Sequence, residues 1–269
     1  GWVWDEGRII GLLASVSNAY PVGALMTLDN GGEVEFYPRC VEGAPSSADS
    51  KTPSAFLLDG QQRMTSLFQT TSRSEPVLTL TSNQKKQPRF YYIDIVKALD
   101  PTISRDDAII GVPETRKVMK GFSKEPIFDV SKVEMEYEQL LFPVNRVFDW
   151  DDWQDGFYDH WDAQKDKKEL FKQFKKNVLE NFKGYQIPVI ALDKSTTREA
   201  VCLVFEKVNT GGKPLDAFEL VTAMYAANGF RLRTDWEARK AALLEHKVLA
   251  KIEPVEFLQV ITLLYTKAN

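Results

Sequence analysis

Cysteine and histidine are nearly absent from this sequence, which holds two of each in 269 residues. Cys40 and Cys202 form no C-x-x-C pair, and neither they nor His160 and His246 stand at a zinc or redox spacing. A disulfide scaffold and a zinc module are thereby excluded, and the expected setting is a reducing cytoplasm. Long apolar runs are missing as well: no stretch can span a bilayer, and the first residues do not resemble a signal peptide. No GxxxxGK[ST] sequence occurs, so any phosphate chemistry is not of the P-loop type. Positive charge is not in excess. The formal net charge of −4 argues against strong nonspecific DNA binding by the whole surface, although a local patch remains open. There is no internal repeat and no low-complexity tract.

What is present reads as an ordinary globular protein. A hydrophobic content of 43% with 27% charged residues supplies a core for one large domain or two small ones. Asp5 is placed to cap a helix carrying Ile9, Ile10, Leu12, Leu13 and Val16, ended by Tyr20-Pro21. Residues 24–28 and 34–37 read as a hairpin turned by Asp29-Asn30-Gly31-Gly32. Residues 42–53 read as a loop and 55–58 as a short strand. Further strands are expected over 77–81 and 89–95, and a buried one over 185–192, where Pro188 is a caution. Residues 100–150 carry short apolar runs and prolines without a clear period. A helix is expected over 150–161. A lysine-rich helix follows, with Leu170, Phe171, Phe174, Val178 and Leu179 opposite its cations. That lysine face reads either as solvated surface or as a nucleic-acid contact. From residue 196 the pattern is helical, opened by Thr196 with Glu199 and interrupted by Gly211-Gly212; Asp216 with Glu219 caps a further helix. The expected class is α+β. A mixed α/β portion covers residues 1–195 and a helical portion 196–269, within what reads as a fragment of a longer protein.

The stretch richest in chemistry is Leu57-Leu58-Asp59-Gly60-Gln61-Gln62-Arg63-Met64-Thr65-Ser66-Leu67. A strand end runs through Asp-Gly into a helix whose Met64, Leu67 and Phe68 share one face. Gln61, Gln62 and Arg63 then fall in the first turn, at the positive end of the helix dipole. A phosphate suits that position: Gly60 allows close approach, and Arg63 offers a two-pronged contact. The same residues also fit a plain structural helix, with Asp59 and Gln62 forming a capping box and Arg63 paired at the surface. Local spacing leaves both readings open.

A second block, Phe205-Glu206-Lys207-Val208-Asn209-Thr210-Gly211-Gly212-Lys213-Pro214-Leu215, lies near the other end, and the chain opens Gly1-Trp2-Val3-Trp4-Asp5. Taken together, DGQQR before a Thr-Ser-Leu helix, this Phe/Asn/Gly/Leu block and the aromatic opening resemble the N-terminal domain of GmrSD-type restriction endonucleases. The Gln-Arg pair that precedes the aromatic turn in that family is absent here. The resemblance implies a ParB/sulfiredoxin-like mixed α/β core followed by a helical subdomain.

It also implies a function. The chain would be an NTP-binding and NTP-hydrolysing sensor domain of a modification-dependent, type IV-like DNA restriction system for anti-phage defence. Its nuclease would lie in a separate C-terminal domain. Asp59, Gln61 and Arg63 would be catalytic. Gly60, Gln62, Thr65, Asn209, Gly211 and Gly212 would hold the nucleotide (ATP, GTP or CTP). Glu206 and Asn209 would serve Mg²⁺, and Trp2 and Trp4 would sense modified DNA. From the residues alone, Asn209 equally suits a helix end and the two tryptophans equally suit a core. The alternative is a module that binds modified DNA or a partner without turnover. A sulfiredoxin-like enzyme would need a reactive cysteine in the motif, where there is none.

Overall fold

The computed structural model of the chain describes residues 4–32, 36, 38–81, 83, 85–119, 126–197, 200, 201, 203, 204, 217–227, 229–249 and 251–268. In chain order its elements begin α1 (Glu6–Ser17), β1 (Leu25–Asp29), β2 (Ala55–Asp59), α2 (Gln61–Ser72), β3 (Val77–Leu80) and β4 (Lys86–Asp94). There follow α3 (Ile95–Leu99), α4 (Arg105–Ala108), β5 (Ile109–Pro113), β6 (Lys117–Met119), β7 (Pro126–Asp129), α5 (Val133–Glu138) and β8 (Leu141–Pro143). Then come α6 (Asp151–His160), α7 (Lys165–Phe174), α8 (Glu180–Gly184) and β9 (Val189–Leu192), and finally the helices Ala217–Ala227, Leu232–Leu243 and Pro254–Ala268. The fold is α+β, as expected. The chain divides into two compact units: Gly1–Ala24, Val41–Ala44 and Gly60–Pro188 form one; Leu25–Cys40, Pro45–Asp59 and Val189–Asn269 form the other.

Unit one is built on the antiparallel sheet β3-β4-β5, with β8 also paired to β4. α1 starts where the sequence places it, with Asp5 Oδ1 accepting from the Arg8 N–H at 3.0 Å. It buries Ile9, Leu12, Leu13 and Val16. It stops earlier than the Tyr20-Pro21 pair, at Ser17, because Ala19 takes the left-handed conformation (φ 55°). The Tyr20 N–H then returns to Ser15 O at 2.8 Å, closing the helix end.

Behind the sheet lies an aromatic layer from α6, α7 and α8. α7 continues into a π-helical turn, Lys175–Leu179. Phe171, Phe174, Val178, Leu179 and Phe182 are all buried along this run. The lysines line the outer side, and two of them, Lys175 and Lys183, stand 5.3 and 5.1 Å from the ring of Trp150. Their ammonium groups stand over the indole face, and Lys175 Nζ also donates to Gln154 Oε1 at 3.1 Å.

Unit two holds the sheet β2-β1-β9. The expected hairpin of 24–28 with 34–37 is not the pairing adopted. β1 is antiparallel to β2, with Thr27 opposite Leu57, and parallel to β9, with Thr27 opposite Ala191. Both edges of β1 are therefore taken by distant strands. Asn30 explains part of this: its side-chain amide donates to Pro53 O at 2.9 Å and its N–H to Ser54 O, tying the turn to the β2 entrance.

β9 also departs from expectation. It begins only after Pro188, which has no N–H to give, and forms an edge strand with Val189 54% exposed rather than a buried one. Met26, Leu28, Leu58 and Val201 make the local core. Just before Val201, Thr197 Oγ1 accepts from the Ala200 N–H at 3.3 Å. Phe218, Leu232 and Trp236 form a second cluster among the C-terminal helices. Glu199, Cys202 and Asp216, like the strand expected over 34–37 apart from Phe36, lie outside the described residues.

Candidate functional site

α2 opens without a side-chain cap. Gly60 occupies the N-cap position in the left-handed region (φ 89°, ψ 9°). Asp59 is the last residue of β2, opposite Met26. The N-cap position therefore falls one residue later than the capping box of Asp59 and Gln62 requires: a glycine turns the chain from strand to helix within one residue. The Met64 N–H bonds Gly60 O at 2.9 Å as the helix begins, where the positive end of the dipole lies. Any Cβ at residue 60 would be strained. Gly60→Ala is expected to cost about 1–2 kcal/mol, read as a lowered thermal midpoint. An unchanged midpoint would show that this turn relaxes freely.

The face of α2 that packs inward differs from the apolar stripe expected. Met64, Leu67 and Phe68 are only half-buried, whereas Ser66, Thr70 and Thr71 are buried. Their hydroxyls need partners in that setting, and helix carbonyls supply them: Thr70 Oγ1 donates to Ser66 O and Thr71 Oγ1 to Leu67 O, each at 2.7 Å.

Beside this helix is a cleft within unit one, lined by Trp4, Ile9, Glu42, Gln62, Thr65, Ser66, Gln69, Val77 and Leu78. Trp4 is held there through its backbone. Its carbonyl accepts from the Leu80 N–H at 3.1 Å and from Thr79 Oγ1 at 2.9 Å. Gln69 Nε2 donates to Glu42 O at 2.8 Å and fixes the opposite wall. Trp4, Gln62 and Thr65 were candidates from sequence, and the cleft brings them together. Glu42, Ser66 and Gln69 were not. A signal for two of them exists: Gln62, Thr65, Ser66 and Gln69 recur at i, i+3, i+4 and i+7, one polar stripe on one helix face.

Arg63 reaches across to the segment that follows α1. Its Nη1 donates to Val22 O at 2.8 Å. It lies so close over Gly23 (φ 85°) that a Cβ there would stand 2.6 Å from Nη1. Arg63 therefore fastens the segment after α1 onto α2, within unit one. Gln61 is exposed on the first turn and is not part of the cleft lining. Trp2, Glu206, Asn209, Gly211 and Gly212 lie outside the described residues. Among the described residues no cluster of three or more Asp, Glu, His or Cys groups is arranged to hold a metal ion. His160 is engaged otherwise, its ring 4.9 Å from that of Trp161 and 5.7 Å from that of Tyr137.

Residues 1–226 match the family described as GmrSD restriction endonuclease, N-terminal domain. The chain belongs to this family. Residues 59–63 and 205–215 fall inside the matched span. An uncharacterized protein of Methanocaldococcus jannaschii is 25% identical over 242 residues, covering 87% of this chain. The chain spans only 39% of that relative's length. No described helix is long and apolar enough to cross a membrane.

Proposed function

We propose that this GmrSD N-terminal domain binds a nucleoside triphosphate at the α2 cleft, hydrolyses it, and thereby regulates the nuclease of a modification-dependent restriction protein used in anti-phage defence. The observation that carries the reading is the juxtaposition of Trp4, Gln62 and Thr65 on one cleft beside the start of α2. The donor set suits a nucleotide. An indole can stack on a base, amides and hydroxyls can meet its polar edges, and a helix N-terminus favours phosphate. Mg²⁺ would enter with the phosphates, and its chemistry would be to neutralise charge on the transferring group. A ParB-like core, a separate nuclease domain, modified DNA as the sensed ligand and a cytoplasmic site of action belong to the same proposal.

Calorimetry with ATP, GTP, CTP and UTP in the presence of Mg²⁺ tests it. Gln62→Ala and Thr65→Ala are expected to weaken the preferred nucleotide roughly tenfold each, the loss of one hydrogen bond to a charged ligand, with the circular dichroism spectrum unchanged. Full affinity in both variants would remove the cleft from consideration. Arg63→Ala alone decides less, since it also releases Val22.

A second reading is favoured by one observation. Arg63, the motif's strongest phosphate ligand on paper, is engaged on a backbone carbonyl. The motif would then be architectural, and the domain a modified-DNA or partner-binding module without turnover. Gel shifts on modified and unmodified duplexes, with no nucleotide bound to the chain, would support that reading over the first.

A further inference from the structure

Only the first part of the helix Pro254–Ala268 is seated on its own unit. Val255, Phe257 and Leu258 pack against the cluster of Phe218, Leu232 and Trp236, with the Phe257 ring 5.0 Å from that of Trp236. From Gln259 to Ala268 every residue is exposed. The apolar pattern does not stop at Leu258, however. Phe257, Ile261, Leu264 and Ala268 recur at spacings of four, three and four, the seam by which one helix packs on another. Val260 borders the same stripe. Val260, Ile261 and Leu264 are 47, 45 and 64% exposed. The opposite side is polar and satisfied within the helix: Thr262 Oγ1 donates to Leu258 O and Thr266 Oγ1 to Thr262 O, each at 2.8 Å.

Such an overhang does not support itself. Val260, Ile261 and Thr262 are consecutive β-branched residues, which lose side-chain freedom in a helix. A helix of so few turns is marginal in water unless an amphipathic face is buried. A bare apolar stripe rimmed by polar residues is also the surface pattern of an interaction site.

We propose that the stripe of Val260, Ile261 and Leu264 is the docking face for the domain that follows in the full-length protein, with a helix of that domain completing the seam. The inference rests on the reading above that a separate nuclease domain follows this one. The matched family is described as an N-terminal domain and covers residues 1–226, so the helix lies beyond it. The Methanocaldococcus jannaschii relative is far longer than the span it shares, since the chain covers 39% of its length. The size of the face favours the same occupant. About three turns are exposed, too little to hold two separate chains, whose stable interfaces engage roughly 20–30 residues a side. A partner on the same polypeptide needs far less contact, because tethering keeps its effective concentration high.

Hydrogen exchange on the full-length protein and on the 1–269 chain tests the docking face. Amides from Ile261 to Ala268 are expected to exchange about a hundredfold or more slowly in the full-length protein than in the 1–269 chain. Ile261→Asp and Leu264→Asp should each restore fast exchange there, whereas Gln259→Ala, on the polar side, should not. Neither Asp variant should lower the thermal midpoint of the 1–269 chain, because both side chains are exposed. Equal exchange in the two proteins, or protection that survives both Asp variants, would overturn the proposal. So would self-association of the 1–269 chain that Leu264→Asp abolishes, since the face would then belong to a second copy. DNA cleavage by the full-length protein is read separately. Protection without cleavage upholds the docking face and counts against the nuclease reading; cleavage without protection does the reverse.

Discussion

Phe171→Ala will destabilise unit one by about 3–5 kcal/mol, seen as a fall in the urea midpoint with an unchanged denaturant slope. Phe171 is fully buried on α7. Its ring meets those of Trp153 and Phe157 at 5.3 Å each, Tyr158 edge-on at 6.0 Å, Phe174 at 6.0 Å and Phe142 at 6.2 Å. Truncation removes the transfer free energy of the ring and leaves a cavity whose walls are themselves rigid aromatics, so little collapse can offset it. Domains of this size typically have about 5–15 kcal/mol of stability in all, so the variant should still fold but close to its limit. Phe148→Ala is the control, since Phe148 is 51% exposed and should change stability by no more than about 0.5 kcal/mol. A loss below about 1 kcal/mol for Phe171→Ala would mean that the α6–α7 layer melts separately from the sheet.

The parts of the fold legible in the sequence were those with long periods or local caps. Asp5 announces α1 through its own side chain, and the spacing of Phe171, Phe174 and Val178 shows which side of α7 faces inward. The parts that were not legible depend on distant pairing. The Asp29-Asn30-Gly31-Gly32 tetrad is a sound turn signal, yet the strand paired with β1 on its antiparallel side is β2, fixed by Asn30 bonds to Pro53 and Ser54. Residues 100–150 fold into elements as short as Leu141–Pro143, too short for any alternation to register.

At the candidate site the motif was visible but its division of labour was not. Sequence spacing put Gln61, Gln62 and Arg63 together on one turn, and so treated them as one group. A helix separates neighbours by about 100°, and the structure sends them apart: Gln62 to the cleft, Arg63 to Val22, Gln61 to the surface.

Glu136 governs the other large effect. It is 4% exposed on α5. Its carboxylate accepts from Trp153 Nε1 at 2.8 Å and from Tyr92 OH at 3.1 Å, with Arg116 Nη1 at 3.7 Å. Burial holds its pKa above the ordinary 4.5, against the opposing pull of the Trp153 and Tyr92 hydrogen bonds and of Arg116. Glu136→Ala strands the Trp153 N–H and the Tyr92 hydroxyl, at roughly 1–3 kcal/mol for each unsatisfied donor. It should therefore destabilise at every pH. Glu136→Gln isolates the proton. A folded-state pKa above the unfolded one means that the native protein binds the extra proton, so the stabilisation is full below pH 4.5 and is lost as pH rises through the folded value. Stability of the parent chain minus that of Glu136→Gln should thus decline between acid and neutral pH. Asp129 cannot mimic this trend: its hydrogen bonds to Lys117 and Ser131 hold its carboxyl at about 2, so its own contribution rises with pH and does so below this window. Urea titrations at intervals from pH 4 to pH 7, within the range where carboxylates respond, will read the difference. A flat or rising difference would show that Glu136 stays ionised throughout, held by Arg116 and its two donors rather than protonated by burial.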